Sequence, residues 1–164
     1  MFFSSSACVY PTYKQKYPNI KPLKEVDAYP ADPDNFYGWE KLYTEKTMKA
    51  FQKDYNLDIR IARLHNIYGP EGTYKGGREK SPAALCRKVI EVQDPGEIEI
   101  WGDGKQTRSY CYIDDAIRGI IMLMESDYKN PLNIGSDRLV TIDELADIII
   151  KISGKKITKK YNLS

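Results

Sequence analysis

The stretch Asp34-Asn35-Phe36-Tyr37-Gly38-Trp39-Glu40-Lys41, continuing to Asn56, and its sequel Leu57-Asp58-Ile59-Arg60-Ile61-Ala62-Arg63-Leu64 decide the fold. Asp34 or Asn35 can cap a helix. Phe36, Trp39, Leu42, Tyr43, Met48 and Phe51 then recur at roughly helical spacing. The sequel is a strand-like run extending to Tyr68, stopped by Gly69-Pro70.

The same alternation continues outward. Upstream, Phe2 to Tyr10 reads as a strand running into a loop. Tyr10 to Pro33 carries five prolines (Pro11, Pro18, Pro22, Pro30, Pro33) and reads as a long loop. Downstream, Glu71 to Lys80 is a Gly-rich loop. Ser81-Pro82 opens a helix to about Gln93, with Ser81 as cap and Pro82 at the first position. Ile98–Trp101 and Gln106–Tyr112 read as a hairpin over Gly102-Asp103-Gly104. Asp114 opens a helix through Met124, and Leu132-Asn133-Ile134 is a short strand ended by Gly135. Thr141 and Glu144 form a capping box for a helix to about Ile152, closed by Gly154. Lys155 to Asn162 reads as a basic tail. Strands alternating with helices indicate an α/β fold with a largely parallel sheet.

Composition narrows the function. The 164 residues are 41% apolar and 29% charged, enough for a packed core, with a net charge of only +2. No basic tract interleaves with aromatics, so a nucleic-acid partner is not indicated. No apolar run reaches the length of a membrane span. Three scattered cysteines, Cys8, Cys86 and Cys111, make no disulfide framework or paired metal spacing, which fits a reducing cytoplasm. The single histidine, His65, argues against a His-based zinc site or a serine–histidine triad. Cys86, Cys111 and His65 read as structural.

Tyr-x-x-x-Lys occurs three times, at Tyr10/Lys14, Tyr17/Lys21 and Tyr37/Lys41. Only the third lies on a predicted helix, where residues four apart share a face. Ser4-Ser5-Ser6-Ala7-Cys8, at a strand end, can bring a hydroxyl to the same place. A free tyrosine ionises near ~10, so making one a base near pH 7 needs about 4 kcal/mol. An ammonium at about 4 Å in an effective dielectric of ~20 is worth roughly that. The bland competitor is a half-buried tyrosine beside a solvated lysine.

Five stretches now stand together: Ser5-Ser6-Ala7-Cys8-Val9-Tyr10, Tyr37-Gly38-Trp39-Glu40-Lys41, Arg63-Leu64-His65-Asn66-Ile67-Tyr68-Gly69-Pro70, Trp101 to Ser109, and Asn133-Ile134-Gly135. In that order they resemble the extended short-chain dehydrogenase/reductase family, the NAD-dependent sugar epimerases and dehydratases. Cys8, the loop Gly72 to Lys80 and Ala83 to Lys88 resemble most the members that invert carbons 3 and 5 of GDP-mannose. A 4-epimerase or a 4,6-dehydratase is the near alternative, although dehydratases typically carry an Asp-Glu pair where Cys8-Val9 stands. A non-catalytic nucleotide-sugar binding module is the alternative of another class.

The resemblance implies a partial Rossmann-like doubly wound parallel sheet plus part of a small α/β substrate-binding domain. Residues 1–70 would belong to the NAD-binding domain and 71–164 mainly to the nucleotide-sugar region, with 105–135 returning partly to the sheet. Tyr37, Lys41 and Ser6 would oxidise the sugar 4-hydroxyl with NAD. Cys8 would remove a proton and Lys80 return one on the opposite face. A free thiol is only about 3% thiolate at pH 7, so nearby positive charge would help Cys8. Ser5, Tyr37 and Lys41 would contact the cofactor, and Asn66, Glu79, Lys80, Lys88 and Arg108 the nucleotide sugar. Arg108 suits a diphosphate because its planar fork binds two oxygens. Each of these residues has a plainer reading, in packing or as a solvated charge. The resemblance also implies a cytoplasmic homodimer for the full-length enzyme, and no metal. The family's glycine fingerprint is not in this sequence, so the chain is expected to be a fragment that alone binds NAD poorly and turns over nothing.

Overall fold

The computed structural model describes residues 1–15 and 22–163, so Tyr17, Pro18 and Lys21 lie outside the described residues. In chain order the elements are β1 (Phe2–Ser6), α1 (Phe36–Tyr55), β2 (Arg60–Leu64), β3 (Ile67–Tyr68), α2 (Ser81–Glu91), β4 (Gly96–Trp101), β5 (Thr107–Ser109), β6 (Cys111–Tyr112), α3 (Ile113–Glu125), β7 (Leu132–Ile134), β8 (Leu139–Thr141), α4 (Ile142–Ser153) and β9 (Ile157–Asn162). They divide into two compact units. One holds 1–67 and 111–137, the other 68–110 and 138–164, so the chain changes unit three times.

The first unit is built on a parallel sheet of order β1-β2-β7. β2 runs mid-sheet and is buried on both sides, as parallel strands usually are. One face, with Ala62, Leu64, Leu132 and Ile134, packs on Ala116, Ile120 and Leu123 of α3 and on Cys111. The opposite face carries the apolar pair Phe3 and Ile61 and, beside it, a polar row. Ser5, Arg63 and Asn133 stand side by side across the three strands.

α1 covers that polar row. Asn35 caps it, its side-chain oxygen accepting from the Gly38 N–H at 2.9 Å, and Asn56 ends it with a left-handed backbone. The residues α1 buries are Gly38, Leu42 and Glu45. Gly38 is required where it stands. A Cβ there would lie 2.2 Å from the Cys8 carbonyl oxygen and 2.8 Å from Pro33 Cβ.

In the second unit, Leu85 and Val89 of α2 and Ala146 of α4 pack on Ile98 and Ile100 of β4. β4 and β9 pair in parallel, and β5 and β8 antiparallel. The Thr141–Glu144 capping box forms, and Gly154 closes α4 with φ 70°. The Lys155 ammonium donates to the carbonyls of Val89, Ile90 and Val92 at the end of α2, where a cation suits the helix dipole.

Four local expectations are corrected. The hairpin over Gly102–Gly104 does not form. β4 pairs with β9 instead, and the chain leaves the turn for β8. The basic tail is strand β9, whose Lys159 turns inward to Asp143 and Asp147 at 2.7 Å each. The strand expected to run to Tyr68 breaks at Asn66, which takes a left-handed φ of 43°. The cap of α2 is Lys80, one residue before Ser81. The Ser81 hydroxyl shares a 2.7 Å hydrogen bond with the Tyr110 hydroxyl instead.

Candidate functional site

The first unit brings together Ser6, Cys8, Tyr37 and Lys41. β1 ends at Ser6, whose hydroxyl oxygen accepts from the Cys8 N–H at 3.2 Å and so caps a one-turn 3-10 helix over Ala7–Val9. That turn lies against α1 at Gly38, where backbone meets backbone. Tyr37 is therefore carried beside the Ser6–Cys8 turn and remains 52% exposed. The Lys41 ammonium lies 5.5 Å from the centre of the Tyr37 ring and 5.1 Å from that of Phe3. A cation held over two ring faces keeps a defined place on the helix. Cys8 is half-buried.

Ser5 is placed differently from the expected cofactor contact. It is 2% exposed, and its hydroxyl donates to Glu45 inside the fold. Asn66 is exposed between β2 and β3, and its carbonyl accepts from the Cys111 N–H at 3.3 Å. Cys111 is buried and His65 half-buried, as structural readings require, whereas Cys86 is exposed.

The remaining candidates belong to the second unit. Glu79 and Lys80 lead into α2, with Lys80 exposed at its N-cap. The N–H groups of Glu79 itself and Gly77, helped by Arg87, hold the Glu79 carboxyl below the usual range despite partial burial. Arg87 reaches Glu79 at 3.4 Å, Glu91 at 3.1 Å and the Tyr74 carbonyl at 2.9 Å. Glu79 Oε2 is enclosed without a hydrogen-bond partner, an acceptor for a hydroxyl or amide N–H. The Lys88 ammonium, expected at the sugar nucleotide, donates to the Glu99 carbonyl at 2.7 Å and ties α2 to β4. Arg108 is exposed on β5 and donates to the Thr107 carbonyl at 2.7 Å.

Sequence reading missed the buried polar network under the first group. Arg63 and Glu45, each almost wholly enclosed, pair through two hydrogen bonds of 2.9 and 2.7 Å. Arg63 also donates to the Tyr10 hydroxyl at 3.2 Å and the Glu25 carbonyl at 2.7 Å. Asn133 accepts from Tyr10, lies 3.0 Å from His65 Nε2, and donates to the Leu23 carbonyl and the Glu25 carboxylate. Burial opposes the Arg63 charge, but the Glu45 carboxylate outweighs it and raises its pKa. Burial pushes Tyr10 up and His65 down. The available signal was a pair of arginines, Arg60 and Arg63, inside the apolar strand-like run Ile59 to Leu64. A cavity of about 340 Å³ opens beside the pair, lined by Tyr29, Lys46, Lys49 and Tyr128 among others, but no candidate residue lines it.

Residues 1–135 match the NAD dependent epimerase/dehydratase family. The chain is 49% identical over 156 residues to GDP-mannose 3,5-epimerase of Arabidopsis thaliana, covering 95% of this chain and 41% of that protein. Among solved structures, the UDP-N-acetylglucosamine 4-epimerase of Methanobrevibacter ruminantium M1, in complex with UDP-N-acetylmuramic acid, superposes with a TM-score of 0.84 at 28% identity. It is matched over 98% of this chain and 49% of its own. The UDP-glucuronic acid 4-epimerase of Bacillus cereus, in complex with UDP-glucuronic acid and NAD, gives 0.78 at 28% identity, over 99% of this chain and 48% of its own. The chain thus spans about two fifths of that curated relative's length. No described helix is long and apolar enough to cross a membrane.

Proposed function

The chain belongs to the NAD dependent epimerase/dehydratase family, and on that premise we propose that it forms the catalytic and sugar-binding part of a nucleotide-sugar epimerase acting on GDP-mannose. The observation that carries the reading is the gathering of Tyr37, Lys41, Ser6 and Cys8 around the Gly38 contact. The 49% identity to a GDP-mannose 3,5-epimerase supports the choice of sugar nucleotide. On this reading residues 1–67 and 111–137 complete a cofactor domain, and 68–110 and 138–164 serve the nucleotide sugar.

The residues present fit one end of NAD. Exposed Tyr37 with Lys41 beside it suits the nicotinamide–ribose end, while no G-x-G-x-x-G turn in this chain holds the diphosphate. NAD, when bound, would supply the hydride acceptor and return the hydride. Tyr37 takes the proton of the sugar 4-hydroxyl, Lys41 lies beside its ring, and Ser6 orients the hydroxyl. Cys8 and Lys80 exchange protons at carbons 3 and 5 from opposite faces, the minimum an inversion needs. Asn66, Glu79 and Arg108 hold the nucleotide sugar. Lys88, tied to β4, fixes α2 within the second unit. On the same reading the enzyme works as a homodimer in the cytoplasm.

The test replaces the matching 156 residues of the Arabidopsis relative with this chain. In deuterated water the chimera is expected to incorporate deuterium at carbons 3 and 5 of GDP-mannose. Cys8→Ala is expected to abolish that exchange and leave GDP-mannose binding intact by calorimetry. Exchange at neither carbon by a folded chimera that binds NAD overturns the reading.

A further inference from the structure

We infer that Glu45, through Ser5 and Arg63, is a positioning residue that sets the register of α1 on the sheet and so the placement of Tyr37 and Lys41 against the Ser6–Cys8 turn; this rests on the proposed role of those four residues. Glu45 lies four residues beyond Lys41 and eight beyond Tyr37, one and two turns along the same helix face. Its carboxylate accepts from the Ser5 hydroxyl, one residue before Ser6, and from two nitrogens of Arg63 on the neighbouring strand. Ser5 and Arg63 are direct partners in the β1–β2 register. One side chain therefore ties the helix that carries the tyrosine and lysine to both strands beneath it.

The rest of the contact explains why such a tie is needed. Of the three residues α1 buries, Gly38, Leu42 and Glu45, only Glu45 hydrogen-bonds the sheet; Lys49 and Gln52 tie the far end of the helix to the Lys129 and Ile59 carbonyls at 3.0 and 3.3 Å, away from Tyr37 and Lys41. Leu42 gives apolar burial, which is non-directional and tolerates sliding along the helix axis. Gly38 fixes how closely the first turn approaches but adds no bond that opposes rotation. The hydrogen bonds of Glu45 are directional and lie one turn below Lys41. Displacement of a reacting group by about 1 Å can cost ~100-fold in rate. A buried ion pair is also a weak source of net stability against an apolar pair of equal volume. Its use here is therefore specificity of placement.

The three cysteines supply a test without cofactor or sugar. Cys8 sits half-buried in the turn that α1 covers, Cys111 is buried in the apolar core of the same unit, and Cys86 is exposed. Iodoacetamide labelling of each thiol is followed by mass spectrometry in wild type, Ser5→Ala, Glu45→Gln and Leu123→Ala. Ser5→Ala removes one hydroxyl and leaves the Glu45–Arg63 pair in place. Ser5→Ala and Glu45→Gln, the two clasp variants, are each expected to raise Cys8 labelling by roughly tenfold, the change that loss of one charge-assisted hydrogen bond gives a local opening. Cys111 is expected to stay as protected as in wild type, and Cys86 to label at an unchanged rate. Leu123→Ala, a general loss of core packing, is expected to expose Cys111 at least as much as Cys8. Cys8 and Cys111 rising together in the clasp variants, or Cys8 unchanged in both, overturns the inference. The chimera's deuterium exchange judges the epimerase reading separately, so the two failures are distinguishable.

Discussion

Gly38 shows how a single missing carbon builds a site. Alanine is normally preferred over glycine in a helix by about 1 kcal/mol. Here its methyl would meet backbone, the Cys8 carbonyl at 2.2 Å, which cannot swing aside. Gly38→Ala is therefore expected to destabilise by about 1–3 kcal/mol, the usual cost of overpacking, in urea unfolding. It is also expected to displace Tyr37 from the turn. His65 carries a pH dependence of definite sign. Burial lowers its folded pKa below the ordinary 6.5, so the unfolded chain binds more protons. Its contribution to stability is complete above about pH 6.5 and is lost as pH falls through the lower folded value. His65→Gln is expected to flatten urea midpoints between pH 7.5 and 5.5, and an unchanged slope would assign the titration elsewhere.

Between elements, buried polar groups do what apolar packing does elsewhere. Arg63→Met leaves the enclosed Glu45 carboxylate without its partner and is expected to cost about 3–5 kcal/mol. Replacing both partners by methionine is expected to recover most of that loss in urea unfolding. β9 matters through pairing. Ending the chain at Gly154 removes the strand paired with β4 from Gly96 to Trp101 and bares an apolar edge. Such a chain is expected to associate in size-exclusion chromatography. The sequence showed this level unevenly. The Asn35 cap, Asn56 at the end of α1 and the Thr141–Glu144 box were legible because their chemistry is local. β9 was not, since a Lys-Lys run reads as solvated until Asp143 and Asp147 are brought against Lys159. Gly102-Asp103-Gly104 does turn, with φ of 74° at both glycines, but strand partners distant in the chain decide the pairing on either side of it.

For the whole molecule, the alternation of strand and helix together with five ordered stretches was enough for an α/β fold and the family. The gathering of Ser6, Cys8, Tyr37 and Lys41 was legible in outline, because helix spacing and a strand end are short-range signals. The support beneath it was hidden. Tyr10 and Asn133 meet across 123 positions, and Arg63 and Glu45 are ordinary surface types until their partners enclose them. Unit membership, which changes after residues 67, 110 and 137, has a consequence for recombination. A single crossover within 68–110 leaves both units drawn from two parents, with cores that never co-adapted. Exchange of a whole unit between relatives requires moving 68–110 and 138–164 together while keeping 111–137. A chimera cut at those three junctions is expected to melt cooperatively, and one cut once in the middle of α2 to precipitate. Inheritance of new properties in this architecture therefore favours point changes over the shuffling of contiguous blocks.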